Sequence, residues 1–307
     1  MAELIRVSPD TDFEEIAAFQ RRAFGNEWLK SERRRLQRAE YYRWKYFPPA
    51  GPAVLATVRA RQELIAMVAA VPFTLSGGEG ISTAWQLCDI ATDPGFRNRG
   101  LFAGCLDALD ASFAGEMTFC FPNARSRPGL TKAGFEVGAV LSIRPVLVLP
   151  RLRALSSAPA ATRDGQVTSS GAPKGPLSIE RSREFLSWRY DAHPLNRYIH
   201  LASDRGAADA QVVVRRLLND RIGVVADFPS HSEQGLATAR ALARRWAASA
   251  GCLALVHAPA VTSEPAPSRR RWLPPWHLPC YARGHRTASG QGPPPPLHVQ
   301  LGDWDAI

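Results

Sequence analysis

The sequence of 307 residues predicts an α/β (α+β) protein with two tandem domains. Short apolar runs of strand length alternate with segments of helical periodicity along most of the chain. Residues 154–176 consist mainly of Ala, Ser, Gly, Pro and Thr without apolar periodicity, which is typical of a linker. A Trp-x-Tyr motif occurs on each side of this segment. The predicted organisation is a domain at 1–150, a flexible linker at 151–176 and a second domain at 177–307.

The first domain begins with strands and helices that lead into a β-hairpin. The predicted elements are a strand at 4–7, a helix capped by Asp10, Thr11 or Asp12 and ending at Phe24, a basic helix at about 29–40, and strands at 53–58 and 64–71. Polar residues separate the last two strands, so they are expected to pair as a hairpin.

The stretch 85–102 is the centre of the first domain. An apolar strand ends at Pro94 and Gly95, which punctuate the run. Apolar residues then recur at helical spacing, at Leu101, Leu106, Leu109 and Phe113. The turn therefore presents free backbone N–H groups at a helix N-terminus. Arg97 and Arg99 oppose the helix dipole there, which favours a bound anion such as phosphate.

The second half repeats the order of the first. The first half ends with a strand at 117–121, a short helix at 125–133 and a strand at 137–149. The second half has strands at 198–203, 211–217 and 222–228, a helix at 236–249 and a strand at 252–256. Where the first half has Arg97-x-x-Gly100, the second has residues 229–235 with the acidic Glu233. Coulomb repulsion would disfavour a phosphate there. The tail is predicted to form a loop from 269 and a closing strand within 297–307.

The segment Arg97-Asn98-Arg99-Gly100-Leu101-Phe102 resembles the pyrophosphate loop of GNAT-type N-acetyltransferases, usually written Arg/Gln-x-x-Gly-x-Gly/Ala. The preceding strand, the following helix and the later Ala133-Gly134-Phe135 fit the same family. The resemblance implies that each tandem domain has a mixed, mostly antiparallel central sheet flanked by helices, with a degenerate second copy. Phe102 departs from the motif, and its ring could crowd the pyrophosphate or point into the helix–sheet core.

The resemblance also implies a cofactor, acetyl-CoA or another acyl-CoA, and a set of residues that bind it. The implied binding residues are Ile90, Ala91, Thr92, Arg97, Asn98, Arg99, Gly100, Leu101, Phe102 and Asn123. Asn123 is also a candidate catalytic residue, because it resembles an asparagine that in relatives contacts the cofactor or the acceptor. It could equally be a turn-forming residue. The tyrosine that often protonates the leaving thiolate falls at Leu130, so Ser126 or a water is expected to act instead.

Asp89 is predicted to be the general base, because it is the only carboxylate in the strand 86–92. Counting back from Arg97 places Cys88, not Asp89, where relatives often carry a glutamate, and neighbouring strand residues face opposite sides. A bulge could turn Asp89 into the cleft. Otherwise Asp89 is a buried structural carboxylate bonded to backbone or arginine.

Composition and residue spacing limit the classes of partner and site that the sequence allows. The net charge of +10 comes mainly from arginines scattered through alanine-rich helices, so nucleic-acid binding is not expected. The five cysteines stand far apart and are expected to be reduced core residues. The start lacks a leader pattern and no apolar run reaches the ~18 residues of a spanning helix, so a cytoplasmic location without membrane insertion is expected. The histidines lack metal-ligand spacing, and the two aromatic motifs are expected to be core.

The expected acceptor is the amine of a small molecule, such as an amino sugar or another metabolite. Two alternatives stay open: a non-catalytic acyl-CoA-binding or assembly module, and an enzyme that acylates a protein amine. The oligomeric state is not predicted.

Overall fold

The structure, a computed structural model, describes most of both halves of the chain. The described residues are 2–24, 38–77, 82–113, 116–148, 177–203, 210–217, 220–228, 233–258, 276–283, 286–287, 290–291 and 297–298. The predicted linker at 151–176 lies outside them, and so does most of the predicted helix at 29–40.

The first half contains six strands and four α-helices within the described residues. They are, in chain order, β1 (Glu3–Arg6), α1 (Phe13–Phe24), α2 (Ala39–Lys45), β2 (Val54–Ala60), β3 (Glu63–Ser76), β4 (Ser82–Thr92), α3 (Leu101–Ser112), β5 (Met117–Cys120), α4 (Arg127–Lys132) and β6 (Glu136–Leu147). Asp12 caps α1, since its Oδ1 accepts from the Glu15 N–H at 2.9 Å. Arg61 and Gln62 form the tight hairpin turn between β2 and β3, and both have the positive φ that such turns favour.

The second half follows a similar order. Its elements are β7 (Leu177–Ile179), α5 (Arg183–Leu186), β8 (Ile199–Ala202), β9 (Gln211–Leu217), β10 (Ile222–Asp227), α6 (Glu233–Ser249), β11 (Ala254–His257), β12 (Trp276–Arg283), and the two-residue strands β13 (Arg286–Thr287), β14 (Gly290–Gln291) and β15 (Leu297–His298). A π-helical turn, Ser187–Asp191, extends α5.

One sheet of 13 strands runs through both halves, in the order β1-β2-β3-β4-β5-β12-β6-β11-β10-β9-β8, with β7 and β15 beside β3. The β12–β6 pair at its middle is antiparallel. Outward from this pair, both directions give an antiparallel neighbour, a parallel pairing and two antiparallel pairings. From β2 to β8, the order of parallel and antiparallel pairings is therefore palindromic about the β12–β6 pair.

Apolar side chains cover both faces of this sheet. One face carries a single core to which both halves contribute, including the fully buried Tyr46 and Tyr190. On the opposite face, α3 covers the first half with Cys105, Leu106 and Leu109. The helix α6 covers the second half with Trp246 and its neighbours. All five cysteines are free and buried, as the sequence analysis predicted.

The predicted fold class is confirmed: a large, mostly antiparallel mixed sheet is flanked by helices. Of the strands in the described residues, four were not predicted, namely β7, β12, β13 and β14. The longest of them is β12: the tail from 269 was predicted to be a loop up to the closing strand, whereas Trp276–Arg283 forms β12, which lies between β5 and β6. The sheet of the first half thus contains a strand from beyond residue 270. No helix within the described ranges is long and apolar enough to cross a membrane.

Candidate functional site

The pairing of β4 with β5 ends before β4 does, and we call the unpaired segments beyond this point the notch. The parallel pairing ends where Leu87 meets Cys120, whereas β4 continues through Thr92 beside β3. Because parallel strands run the same way, residues 121–123 after β5 face residues 88–92 of β4 across the notch. The notch is therefore formed by residues 88–92 on one side and 121–123 on the other.

A β-bulge shapes the first side of the notch. Ala69 pairs with Cys88 and Met67 with Ala91, so Asp89 and Ile90 together stand opposite a single residue of β3. Asp89 has a φ of 49°, which is rare outside glycine. The buried Gln20 of α1 holds this conformation by donating from Nε2 to the Asp89 carbonyl at 2.9 Å. The bulge that the sequence analysis considered is present.

The Asp89 side chain is bound by two buried residues of the first Trp-x-Tyr motif. Its Oδ2 accepts from Lys45 Nζ at 2.8 Å and from the Tyr46 hydroxyl at 2.9 Å. Burial and then the Asp89 carboxylate raise the pKa of Tyr46 well above its ordinary value, so Tyr46 stays a donor. These contacts match the alternative of a buried structural carboxylate, with a lysine in place of the expected arginine or backbone.

The turn after β4 is braced by acid–base contacts. Asp93 accepts from the Gly95 N–H at 3.0 Å through Oδ1 and from Arg22 Nε at 2.9 Å through Oδ2. Partial burial would raise the pKa of Asp93, but the hydrogen bonds from Arg22 and Gly95 outweigh it and lower the pKa. No local sequence pattern links residue 22 to residue 93, so a role for Arg22 at this turn was not predicted.

The loop residues 97–101 lead directly into α3. Asn98 and Gly100 have positive φ of 61° and 75°, and residues 97–100 are exposed. The first helical bond runs from the Gly104 N–H to the Gly100 carbonyl at 3.0 Å. The amides of residues 101–103 thus precede the bonded part of the helix, which is the arrangement that binds anions. A Cβ built on Gly100 would meet nothing within 4 Å, so the loop backbone is accessible from that side.

The two loop arginines turn back onto backbone carbonyls. Arg97 donates to Ala23 O at 2.8 Å and Thr92 O at 3.3 Å. Arg99 donates to Gly95 O at 3.3 Å and lies over the Phe96 ring at 5.2 Å. Both guanidinium groups therefore brace the turn, and the main-chain amides are the anion donors that the loop offers.

Phe102 points away from the loop. A Cβ added at Gly129 of α4 would lie 2.6 Å from the Phe102 ring, and the ring packs in the core under α3. Of the two orientations that the sequence left open, the core orientation is found. Leu130, at the position where the family often has a tyrosine, is fully buried in the same core.

Asn123 and Ser126 lie on the other side of the notch, after β5. The Asn123 Oδ1 accepts from the N–H groups of Arg125 at 2.9 Å and Ser126 at 3.0 Å. The Ser126 hydroxyl is 3.3 Å from both the carbonyl and the side-chain oxygen of Asn123. Asn123 therefore forms the turn that starts α4, which was one of its predicted roles.

The second half contains a matching cluster that the sequence analysis did not assign. Asp227 is fully buried at a register shift in β10, and its Oδ2 accepts from the Tyr190 hydroxyl at 2.6 Å and Arg181 Nε at 2.8 Å. Tyr190 belongs to the second Trp-x-Tyr motif, as Tyr46 belongs to the first. The recurrence of that motif was the sequence signal that leads to both clusters.

Comparison with protein families identifies the part of the chain that holds the notch and the loop. Residues 4–138 match the family model of the acetyltransferase (GNAT) domain. The matched segment includes β1 to β5, the notch and the loop before α3. No curated protein matches the sequence.

Solved structures with a similar fold cover nearly the whole chain. A probable N-acyltransferase from Enterococcus faecalis has a TM-score of 0.60 at 14% identity and covers 93% of this chain and 72% of its own. A GCN5-related N-acetyltransferase from Kribbella flavida has a TM-score of 0.58 at 17% identity, with 92% and 71% coverage. The N-myristoyltransferase from Saccharomyces cerevisiae, solved with bound myristoyl-CoA, has a TM-score of 0.50 at 10% identity, with 97% and 89% coverage. At these identities the likeness concerns the fold.

Proposed function

We propose that the first half binds an acyl-CoA and transfers its acyl group to the amine of a small molecule. The observation that carries this proposal is the notch between β4 and β5, which lies beside a glycine-led helix N-terminus in the segment that matches the GNAT domain. The open space at Gly100 fits the approach of a pyrophosphate to the loop amides. Bound acyl-CoA would supply the activated acyl group as a thioester.

The chain's own residues then have distinct roles. The amides of residues 101–103 bind the anionic end of the cofactor, while Arg97, Arg99 and Asp93 hold the turn in shape. The backbone of residues 90–92 lines the notch and receives the pantetheine arm of the cofactor. Phe102 leaves the loop open because its ring packs against Gly129.

Two roles for Asp89 follow from its position, a general base for the acceptor amine and an anchor for the bulge. Its carboxylate oxygen already accepts from Lys45 and Tyr46. Asp227 has an equivalent tyrosine and a cation in the half that lacks the Arg-x-x-Gly loop. We therefore favour the anchoring role. The amine proton would then leave to water, and Ser126 or a water would protonate the leaving thiolate.

We also infer that the two halves are tandem copies, the second without the phosphate-binding loop. The palindromic order of pairings and the paired Asp–Tyr clusters support this inference. The boundaries at 150 and 177 stay predictions.

A non-catalytic acyl-CoA-binding module is the second candidate. It is favoured by Leu130, because a fully buried leucine cannot protonate the leaving thiolate. In this case the first half would bind acyl-CoA but would not transfer the acyl group.

Calorimetric titration with acetyl-CoA and with free CoA tests the proposal, followed by a screen of small amines and peptide amines for thiol release. Binding with turnover on small amines supports the transferase. Binding without turnover on any amine supports the second candidate. If the protein binds neither acetyl-CoA nor free CoA, both proposals are wrong.

A further inference from the structure

The two Trp-x-Tyr motifs meet through their tryptophans. Trp44 donates from Nε1 to the Trp188 carbonyl at 2.7 Å, and Trp188 donates from Nε1 to the Trp44 carbonyl at 3.0 Å. The two indole rings are stacked, with centroids 5.1 Å apart and planes 18° apart. Exchanging the two residues leaves the contact pattern unchanged, as in an interface between two identical subunits. This contact joins the first half to the second.

Trp44 is adjacent in the chain to the residues that hold Asp89. It lies in α2, immediately before Lys45 and Tyr46, whose side chains donate to the Asp89 carboxylate. A short helix transmits the position of one residue to the next, because its backbone bonds fix their relative orientation. The carbonyl of Trp44 is the atom that Trp188 contacts. Trp188 therefore acts on the same helical segment that carries Lys45.

Asp89 in turn sets the backbone at the notch. Its positive φ places it in a sparsely populated conformation, which persists only where neighbouring contacts determine it. The contacts at this point include those from Gln20 to its carbonyl and from Lys45, Tyr46 and the Cys88 thiol to its carboxylate. Ile90, Ala91 and Thr92 follow directly, so the bulge decides where their backbone faces the notch.

We propose that Trp188, a residue of the second half, is a positioning residue of the notch. Through Trp44 it holds Lys45 and Tyr46 on Asp89 and so fixes the backbone of residues 90–92. The inference rests on the proposed function only in assigning the notch to the pantetheine arm of the cofactor. The loop at 97–101 is held by Arg97 on Ala23 O at 2.8 Å and by Arg99 on Gly95 O at 3.3 Å, and neither contact involves α2 or residues 88–92. The longer contact of Arg97 with Thr92 O, at 3.3 Å, joins the loop to the end of the notch. Loss of Trp188 should therefore loosen the notch and leave the pyrophosphate contacts in place.

The substitution Trp188→Phe tests this inference, because it removes the indole donor and keeps an aromatic ring. In the full chain we expect hydrogen exchange at residues 88–92 to rise roughly tenfold, with exchange at 97–101 unchanged. Trp44→Phe should give the same change, and the double variant no further one, since both act through one contact. Trp246→Phe is the matched control, because Trp246 is buried against Gly223 on the other face of the sheet.

Two further measurements separate positioning from a general loss of stability. Circular dichroism should show an exciton couplet from the stacked indoles in the wild type and in Trp246→Phe, and not in either motif variant. The ratio of the affinities for free CoA and for 3′-phospho-ADP reports the pantetheine arm, since both ligands contain the pyrophosphate and only CoA has the arm. We expect CoA to lose affinity relative to 3′-phospho-ADP in Trp188→Phe, with the affinity for 3′-phospho-ADP kept within about twofold.

The inference is wrong if Trp188→Phe loses the couplet while exchange at 88–92 and the affinity ratio match the wild type. It is also wrong if Trp246→Phe raises exchange at 88–92 equally. If the wild type binds neither acetyl-CoA nor CoA, the proposed function fails. The exchange comparison at 88–92 then still decides whether Trp188 positions the strand.

Discussion

The Asp89 cluster of the first half and the Asp227 cluster of the second have the same arrangement in different surroundings. In each, a carboxylate at a strand irregularity accepts from a tyrosine of a Trp-x-Tyr motif and from a cation. The cation is Lys45 from within the first motif but Arg181, which precedes the second. The Asp227 side chain is 0% exposed and that of Asp89 is 13% exposed.

The carboxylate clusters are common to both halves, whereas the glycine loop is specific to the first. A carboxylate cluster that occurs in both halves is best explained by the needs of a bulged central strand. The loop with Gly100 and its helix N-terminus distinguishes the first half, since the second has Glu233 at the start of the corresponding helix. Specific chemistry is therefore expected at the loop and the notch rather than at the carboxylates.

The largest expected effect comes from breaking the buried pairs. Asp227→Asn leaves the Arg181 guanidinium without a counter-charge, and we expect a loss of about 3–5 kcal/mol in the free energy of unfolding. Asp89→Asn should lose somewhat less, because its side chain is partly exposed. Urea denaturation of both variants measures the two losses.

The general-base role of Asp89 makes a different forecast for the same variant. It requires a rate loss of about 10²–10⁴-fold with acyl-CoA affinity and stability kept. A stable Asp89→Asn protein with that kinetic defect would contradict the equivalence of the two clusters.

Gly100→Glu should remove acyl-CoA affinity from the first half. The new carboxylate would face the bound pyrophosphate, and a like-charge contact of several kcal/mol corresponds to a loss of at least about 100-fold. Gly251→Glu is a matched control in the second half, because Gly251 is also exposed, has a φ of 76° and has nothing near its missing Cβ. Calorimetry should show unchanged affinity in the control; equal losses in both variants would refute the asymmetry.

The two tyrosines should differ in the stability that they contribute. Tyr46→Phe and Tyr190→Phe each remove a hydrogen bond to a carboxylate, worth about 1.5–3 kcal/mol. We expect the larger loss at Tyr190, whose partner Asp227 is fully buried. Denaturant midpoints of the two variants, measured side by side, check the order. The reverse order would mean that Asp89 depends more on Tyr46 than its exposure suggests.

Mild acid should destabilise the protein through two histidines of the second half. Burial, followed by Arg189 and Arg215, lowers the pKa of His193 to about 3, and burial with Arg240, Arg244 and Arg144 lowers that of His257 to about 4. Both histidines are neutral when folded and take up protons on unfolding below pH 6.5. Their stabilisation is therefore complete above that pH and is lost as the pH falls, by up to about 1.4 kcal/mol per pH unit for each.

Unfolding by urea at about pH 7 and about pH 5.5 measures this dependence. His193→Asn keeps an acceptor for the Leu195 and Asn196 amides that His193 Nδ1 now serves, so it should flatten the slope without breaking the turn. All seven histidines follow residue 190. A slope that survives in His193→Asn combined with His257→Gln would place the acid sensitivity elsewhere.

Sequence reasoning located the features that depend on neighbouring residues. The strand, the Pro94–Gly95 turn and the helix after Gly100 follow from local spacing, whereas the bulge at Asp89 was only one of two possibilities that the sequence left open. Features that join distant segments escaped it. The partners of Asp89 are Lys45 and Tyr46, more than 40 residues earlier in the chain. The direction of Phe102 depends on Gly129 in another helix, so both orientations stayed open until α4 was placed.

The position of β12 has a consequence for the synthesis of the protein. Its residues 281–283 pair with Cys120, Phe119 and Thr118, and so they close the sheet of the first half only after synthesis has passed residue 283. A nascent first half emerging from the ribosome would expose the edges of β5 and β6, and exposed strand edges invite aggregation. Such distant pairing also slows folding. Expression of the first half alone is therefore a poor route to its acyl-CoA chemistry, and a stop codon before residue 276 should be as damaging as one within the domain itself.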